Sequence, residues 1–434
     1  MEPMPIRRRS FTAATAATTL ALSTAPARAL GANERIRLGF IGVGNRGSQL
    51  LDAFLKHSDK EVVAFCDVFE PYLARANEKL DRKAETYGDF RKLLDRKDID
   101  GVVIATPDHW HAILCIAACD AGKDVYVEKP LSITIHEGRR MVEAARRNNR
   151  ITQVGTHRRS SRMYNDLASQ VQAGKIGKVT VSRAYRLSNM YPAGIGKAEP
   201  SDPPADLNWD LWLGPRPARP FQATIAPYKF RWWDLYSSQV ANWGVHYLDA
   251  IRWLTGDLAP SAVCAMGGRY VIDDDRTIPD TMEVTFEFAS GRLAIFGQYE
   301  ASGNSALRRG EVELRGTDGT LYISDRGYEI VPERGGQFQK PAPRMKPVQQ
   351  SIDQGEGDMT VAHARNFLDC MRSRKPANAD IEIGHRSTTM SLLANISLAT
   401  RSRLEWDAQQ ERFTNNSEAN NLLHYEYRQP WKLG

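Results

Sequence analysis

Cysteine is scarce and shows no pairing pattern. The chain holds five in 434 residues, an odd number without framework spacing, so no disulfide scaffold is expected. Long apolar runs are missing as well. The uncharged stretch near the N-terminus is too short and too polar to span a bilayer. There is no internal repeat and no long run of one charge sign. Hydrophobic residues make up 42% and charged residues 25%, which excludes a disordered or collagen-like chain. What is present is length, enough for two or three domains at roughly 100–200 residues each. A net charge of +6 invites a nucleic-acid partner.

The N-terminus accounts for much of that charge. Arg7-Arg8-Arg9-Ser10-Phe11 precedes an uncharged Ala/Thr/Leu/Ser run, and Ala27-Arg28-Ala29 supplies a small-x-small cleavage site. This pattern is a secretory signal, and its R-R-x-F element makes it a twin-arginine (Tat) signal over residues 1–29. Without it the chain has 54 basic and 51 acidic residues, a net of +3. That small excess, with no recognition motif, argues against nucleic acid. The expected location is periplasmic or secreted, through the Tat export machinery, with no membrane attachment after signal removal.

Strands and helices alternate from residue 36 onwards. Ile36–Ile41, Glu61–Cys66, Gly101–Ala105, Asp124–Val127 and Ile151–Val154 read as buried strands. Gly47–His57, Pro71–Leu80, Trp110–Ala121 and Thr134–Asn148 read as helices. Residues 30–155 are therefore expected to form a doubly wound parallel (Rossmann) sheet. Residues 156–400 read as a second α/β domain with a large, mostly antiparallel open sheet. Its expected strands are Ser261–Ala265, Thr281–Phe288, Leu293–Tyr299, Val312–Gly316 and Leu321–Ser324. Val361–Met371 and Ser387–Ala399 read as helices. Residues 187–220 form a long irregular excursion and 332–358 a surface loop. Residues 401–434 read as a C-terminal arm.

Gly42-Val43-Gly44-Asn45-Arg46-Gly47 matches G-x-G-x-x-G. It follows a strand, opens a helix, and precedes a strand ending at Asp67, 20 residues past Gly47. Gly42 permits the turn, Gly44 admits the pyrophosphate, and Gly47 brings the helix close to the strand. Asp67 suits the ribose hydroxyls and repels a 2′-phosphate, so NAD is favoured over NADP; Arg46 is the opposing signal. Asn45 belongs to the same turn.

Three further elements carry candidate chemistry. Thr106-Pro107-Asp108-His109-Trp110-His111 ends a strand on the ligand edge, so Thr106, Pro107, His109 and His111 are candidate cofactor contacts. Asp108 serves equally as a helix cap. Glu128-Lys129-Pro130 ends the next strand on the same edge. Lys129 suits a general acid or base if desolvated, or an exposed salt-bridging role. Asn242, His246 and Asp249 recur at helical spacing. His246 is a candidate proton shuttle or a satisfied structural histidine. Arg158, Arg159 and Tyr164 are candidate substrate contacts. Arg183 and Tyr185 line either the open sheet face or solvent. Trp232 stands with Trp209, Trp212 and Trp233 as sugar platform or core. Cys115 and Cys119, at helical spacing among apolar residues, read as core, and no metal site is expected.

Taken together, I-G-x-G-x-x-G, Asp67, the T-P-D-x-x-H element ending at His111, G-K-D-V-Y-V-E-K-P over Gly122–Pro130, and G-x-H-x-x-D over Gly244–Asp249 resemble the Gfo/Idh/MocA family. The resemblance spans roughly residues 35–400. It implies a Rossmann domain followed by an α/β sheet domain, and NAD(P)-dependent oxidation or reduction of a sugar or polyol. It also implies that Lys129 and His246 sit beside the reacting hydroxyl; Glu128 and Lys129 are candidate cofactor contacts as well. Many members carry Asp where this chain has Asn242, so a carboxylate relay there is replaced at most by hydrogen bonding to the substrate.

Export adds a constraint, because little free NAD(H) exists outside the cytoplasm. A tightly held cofactor is expected, either recycled by a second substrate or reduced and reoxidised within one cycle. The second route gives epimerisation or glycoside cleavage through a transient keto-sugar, as in the family's NAD-dependent glycosidases. A non-catalytic NAD-binding sensor is a third possibility. The open sheet face implies a homo-oligomer.

Overall fold

The computed structural model describes residues 35–351 and 357–434. The expected signal segment lies outside them.

The first half forms from short apolar strands too hydrophobic to face water on either side. These are β1 (Ile36–Ile41), β2 (Lys60–Cys66), β3 (Glu85–Tyr87), β4 (Gly101–Ile104), β5 (Asp124–Val127) and β6 (Thr152–Val154). They pair in parallel in the order β3-β2-β1-β4-β5-β6. Helices α1 (Asn45–Leu55), α2 (Glu70–Glu78), α3 (Phe90–Leu94), α4 (His111–Asp120) and α5 (Ile135–Arg147) connect them. The order reverses between β1 and β4, and in such sheets a ligand binds at the carboxyl edge of that switch point. Helix α5 opens with a reciprocal capping box between Thr134 and Glu137. The buried Cys115 and Cys119 belong to the core under α4.

The second half is built on a ten-stranded sheet. Helix α6 (Arg162–Gln172) leads to β7 (Val179–Leu187). After α7 (Trp209–Leu213) and α8 (Val245–Thr255) come β8 (Ala262–Gly268), β9 (Thr281–Phe288), β10 (Arg292–Tyr299), β11 (Val312–Gly316), β12 (Gly319–Ser324), β13 (Gly327–Pro332) and β14 (Val348–Ser351). Helices α9 (Met359–Ser373) and α10 (Ile381–Thr400) precede β15 (Leu404–Asp407), β16 (Arg412–Phe413) and α11 (Ser417–Asn421). The sheet order is β14-β13-β12-β11-β7-β10-β9-β8-β15-β16. Among its pairs only β7 with β10 is parallel. One face packs on α6, α8 and α10, with Leu248, Ile251, Phe286 and Phe296 fully buried. The other face carries Arg183, Tyr185, Glu283 and Leu293.

Three elements differ from expectation. Strand β7, near the middle of the sheet, carries Ser182 and Ala184 at its buried positions, so its apolar alternation is weak. The expected loop at 332–358 contains β14, a polar edge strand. The C-terminal residues do more than run over the surface: β15 and β16 extend the sheet, and Tyr427, Tyr425, Trp431 and Leu433 then pack against the Rossmann core.

The irregular segment between β7 and α8 builds a small core of its own from Trp212, Phe221, Phe230, Trp233 and Tyr236. Trp209 stacks on Trp212, with ring centroids 4.8 Å apart. The segment is tied to the Rossmann half beside Asp67: Asn208 N–H donates to the Val68 carbonyl at 2.9 Å, and Glu70 N–H to that of Asp206 at 3.0 Å.

Candidate active site

The β1–α1 turn is shaped by glycine. Gly42 has φ +83°, a backbone conformation costly for other residues. A Cβ on Gly47 would stand 2.1 Å from the Gly42 carbonyl oxygen, so α1 could not lie this close with any larger residue. Gly44 precedes α1, and no side chain caps that helix, which leaves its first N–H groups free for an anion. Gly42, Gly44, Asn45, Arg46, Asp67, Thr106 and Pro107 line a groove over this turn. Tyr228, Phe230 and Arg231 of the irregular segment close its other side.

Asp67 accepts from the Val43 N–H at 2.8 Å and the Phe69 N–H at 3.1 Å. Burial outweighs those amides and pushes its carboxyl up to about 6. The Thr106 hydroxyl is buried in the groove wall with no partner among the described residues. An uncapped helix start, a glycine cradle, an acid at the ribose position and an orphaned hydroxyl together fit a dinucleotide.

A second cleft, of about 520 Å³, continues from this groove and shares Asn45, Arg46, Ala105, Thr106, Tyr228 and Arg231 with it. Glu128, Lys129, Asn242 and His246 line it. The Lys129 ammonium donates to both the Asn242 carbonyl at 2.8 Å and its side-chain Oδ1 at 2.9 Å. Burial pushes its pKa down to about 8, against the opposing pull of Glu128 and Asp108. Burial also raises the Glu128 carboxyl, but Arg46, whose Nε donates to it at 2.8 Å, and Lys129 outweigh that and hold it low. His246 is held well below the usual imidazole range by burial, then by Lys129 and His157. It is therefore neutral, and its Nδ1 has no partner among the described residues. A neutral Lys129 amine would spend both hydrogens on Asn242, leaving its lone pair for a proton in the cleft.

Not every expected residue reaches this site. His109 and His111 line neither cleft. His109 Nε2 lies 2.9 Å from the Trp212 carbonyl, with the ring against Trp212 and Tyr236. Both His111 nitrogens face backbone carbonyls, of Pro130 at 2.7 Å and Thr106 at 3.1 Å. These histidines brace the loops that carry the site. Arg159 and Asp249 form a buried two-toothed ion pair at 2.8–2.9 Å, which Ser387 joins. Arg158 lies over the Tyr247 ring at 4.7 Å and pairs with Glu311, and Tyr164 is core. Trp232 does line the second cleft, where its indole N–H donates to Glu300 at 3.1 Å.

The reason for the Asp249 misplacement is local. Asp249 follows His246 by three residues in the regular helix α8, about 60° away around its axis, and the buried Arg159 claims it. Asn242 and His246 meet the cleft while Asp249 turns inward. The structure adds His157, which no motif marked. Its ring lies 5.2 Å from that of His246, and burial pushes its pKa down to about 3. Arg186, Arg231 and Glu300 also reach the second cleft unannounced. Counting by twos along β7 from the buried Ser182 and Ala184 would have placed Arg186 on this face.

These features define a protein with an NAD-binding Rossmann fold followed by an alpha/beta sheet domain. Residues 36–156 match the oxidoreductase family's NAD-binding Rossmann fold and residues 162–433 its C-terminal alpha/beta domain. The chain therefore belongs to the Gfo/Idh/MocA oxidoreductase family. It is 34% identical over 145 residues to inositol 2-dehydrogenase of Salmonella typhimurium, covering 33% of this chain and 43% of that protein. It is 37% identical over 122 residues to an alpha-N-acetylgalactosaminidase of Shewanella oneidensis, covering 26% of this chain and 27% of that one. The chain thus spans less than half the length of these relatives. Levoglucosan dehydrogenase, solved with NADH and levoglucosan, shares the fold: TM-score 0.65, 19% identity, 86% of this chain and 99% of that one. A probable dehydrogenase from Thermotoga maritima does too, with TM-score 0.59, 22% identity, 85% of this chain and 98% of that one.

Proposed function

We propose that this protein is an exported oxidoreductase that interconverts a hydroxyl and a ketone on a sugar, polyol or glycoside, using an NAD that it keeps between turnovers. One observation carries this reading. The Lys129 amine, oriented by Asn242 and partly neutralised by burial, faces a cleft continuous with the dinucleotide groove and shared with His246. Bound NAD supplies hydride acceptance at its nicotinamide. The chain supplies the rest. Lys129 takes the hydroxyl proton as the C–H bond of the same carbon is broken, and neutral His246 hydrogen-bonds the oxygen. Asp67 favours NAD over NADP. The names of the relatives, inositol 2-dehydrogenase and levoglucosan dehydrogenase, support a polyhydroxylated substrate.

Export through the Tat route rests on the Arg7–Ala29 pattern, and cofactor retention on the scarcity of NAD(H) outside the cytoplasm. Self-association through the open sheet face, where Leu293 and Met266 stand exposed, belongs to the same proposal. A second reading, redox-neutral glycoside cleavage, is favoured by the galactosaminidase relative. It predicts released aglycone without net nicotinamide reduction.

The test is the pH dependence of nicotinamide reduction with myo-inositol, levoglucosan and common hexoses. The base must be neutral to accept a proton, so the rate rises with pH and levels off above an inflection near 8. In Lys129→Met, the rate falls by about 10²–10⁴ and the inflection disappears. An unchanged rate and profile in the variant would remove Lys129 from the chemistry.

A further inference from the structure

The charges lining the second cleft are not balanced by their partners. Each acid there is already engaged. Asp108 accepts from the Ser237 hydroxyl. Glu128 is paired with Arg46. Glu300 takes the Trp232 indole N–H and an ion pair with the fully buried Arg276 at 2.5 Å, which also grips Asp274. Two arginines of the same cleft, Arg231 and Arg186, have no ion-pair partner among the described residues. Arg231 lies over the Tyr228 and Phe230 rings and gives one N–H to the Tyr228 carbonyl. It also borders the dinucleotide groove, so cofactor phosphate can account for it. Among the described residues Arg186 makes no hydrogen bond or ion pair; the acid that feels its charge is Glu300, which Arg276 already holds.

Its position is nevertheless fixed. Arg186 sits on β7 opposite Gln298 of β10. Its guanidinium stacks 3.8 Å from the centroid of the Trp243 ring. That indole is 37% exposed, large for a ring beside a core helix, and lies 6.5 Å from the His246 ring. Stacking holds the guanidinium plane and leaves its N–H edges free, and those edges match the paired oxygens of an oxyanion. A neutral sugar would leave those half-buried N–H edges without an anionic partner in hydrogen-bond reach.

We infer that the substrate is an acidic sugar: Arg186, stacked on Trp243, grips a carboxylate or sulfate ester on the ring whose hydroxyl Lys129 deprotonates. This deepens the proposed function and rests on it. It adds a specificity-determining contact at the far end of the same cleft. Trp243 serves as platform for the cation and borders the sugar ring.

The experiment titrates the purified holoprotein with glucose, glucuronate and glucose 6-sulfate, following tryptophan fluorescence for binding and nicotinamide absorbance for turnover. At least one acidic sugar binds ten-fold or more tighter than glucose. Tighter glucuronate assigns a carboxylate, tighter glucose 6-sulfate a sulfate ester. In Arg186→Gln the preference collapses towards one while bound nucleotide stays stoichiometric. Arg186→Lys, which keeps charge but loses the fork, retains part of it and covers the case in which the glutamine variant misfolds. Glucose binding as tightly as either acid, or a preference surviving in both variants, overturns the inference. Its failure is separable from that of the proposed function. Reduction of nicotinamide by neutral sugars without acid preference sinks only the acidic subsite. Arg186-dependent binding without any reduction sinks only the oxidoreductase reading. No binding and no reduction by any of the three sinks both.

Discussion

In the proposed mechanism Lys129 and Asn242 act as a pair, joined by two hydrogen bonds. An amide at 242 fixes the amine without adding charge. An Asp in its place would keep the geometry and stabilise the ammonium, raising the lysine pKa by roughly one unit or more. Asn242→Asp is therefore expected to shift the pH–rate inflection upward from about 8 and to slow turnover at neutral pH, read from the same profile. Asp67 works in the opposite direction. Its carboxyl, near 6, is ionised at neutral pH and repels a 2′-phosphate, but protonates as the pH falls through that value. NAD-over-NADP discrimination should therefore weaken below about pH 6, and Asp67→Asn should show the weakened ratio at every pH. Competitive nucleotide binding measures both.

At the scale of elements, buried ion pairs decide which residues serve the fold. The Arg159–Asp249 pair joins the turn before α6 to helix α8 and is fully enclosed. Removing one partner leaves the other charge uncompensated, a loss of about 3–5 kcal/mol. Asp249→Asn should lower the thermal midpoint accordingly, while the KM of the folded protein stays unchanged; a substrate contact would instead raise KM. The Rossmann half was legible from sequence because each glycine and acid has one physical job at one spacing. Lys129 was legible for the same reason. The second half was less so. Strand β7 hides behind small polar core positions, and with it Arg186. The three-residue step from His246 to Asp249 turns the acid about 60° around α8, towards Arg159, which the spacing alone did not reveal. His157 follows a strand end with no flanking motif, and only the fold brings it to His246. His109 and His111 carried a motif, yet backbone carbonyls claim Nε2 of His109 and both nitrogens of His111.

Across the whole molecule, the irregular segment closes one side of the dinucleotide groove and the C-terminal residues brace that segment. Trp110 and His109 both reach the Trp212 carbonyl, tying the segment to the Rossmann edge. Arg428 then clasps it from outside, donating to the Gly214 and Asp210 carbonyls at 3.0 Å each, while Arg216 lies 3.9 Å over the Tyr425 ring. On the proposed retention of NAD, this clasp slows cofactor exit. Arg428→Ala should accordingly speed nucleotide loss during gel filtration, with turnover per retained cofactor unchanged. The most direct measurement on the central claim is of the untouched protein. The chain lacking residues 1–29 is purified, denatured, and its released nucleotide identified. An intact sample is then given one sugar at a time. The account predicts about one NAD per chain and a stable, stoichiometric rise in reduced nicotinamide with the right sugar alone. A protein that carries no nucleotide and has no affinity for one would contradict it.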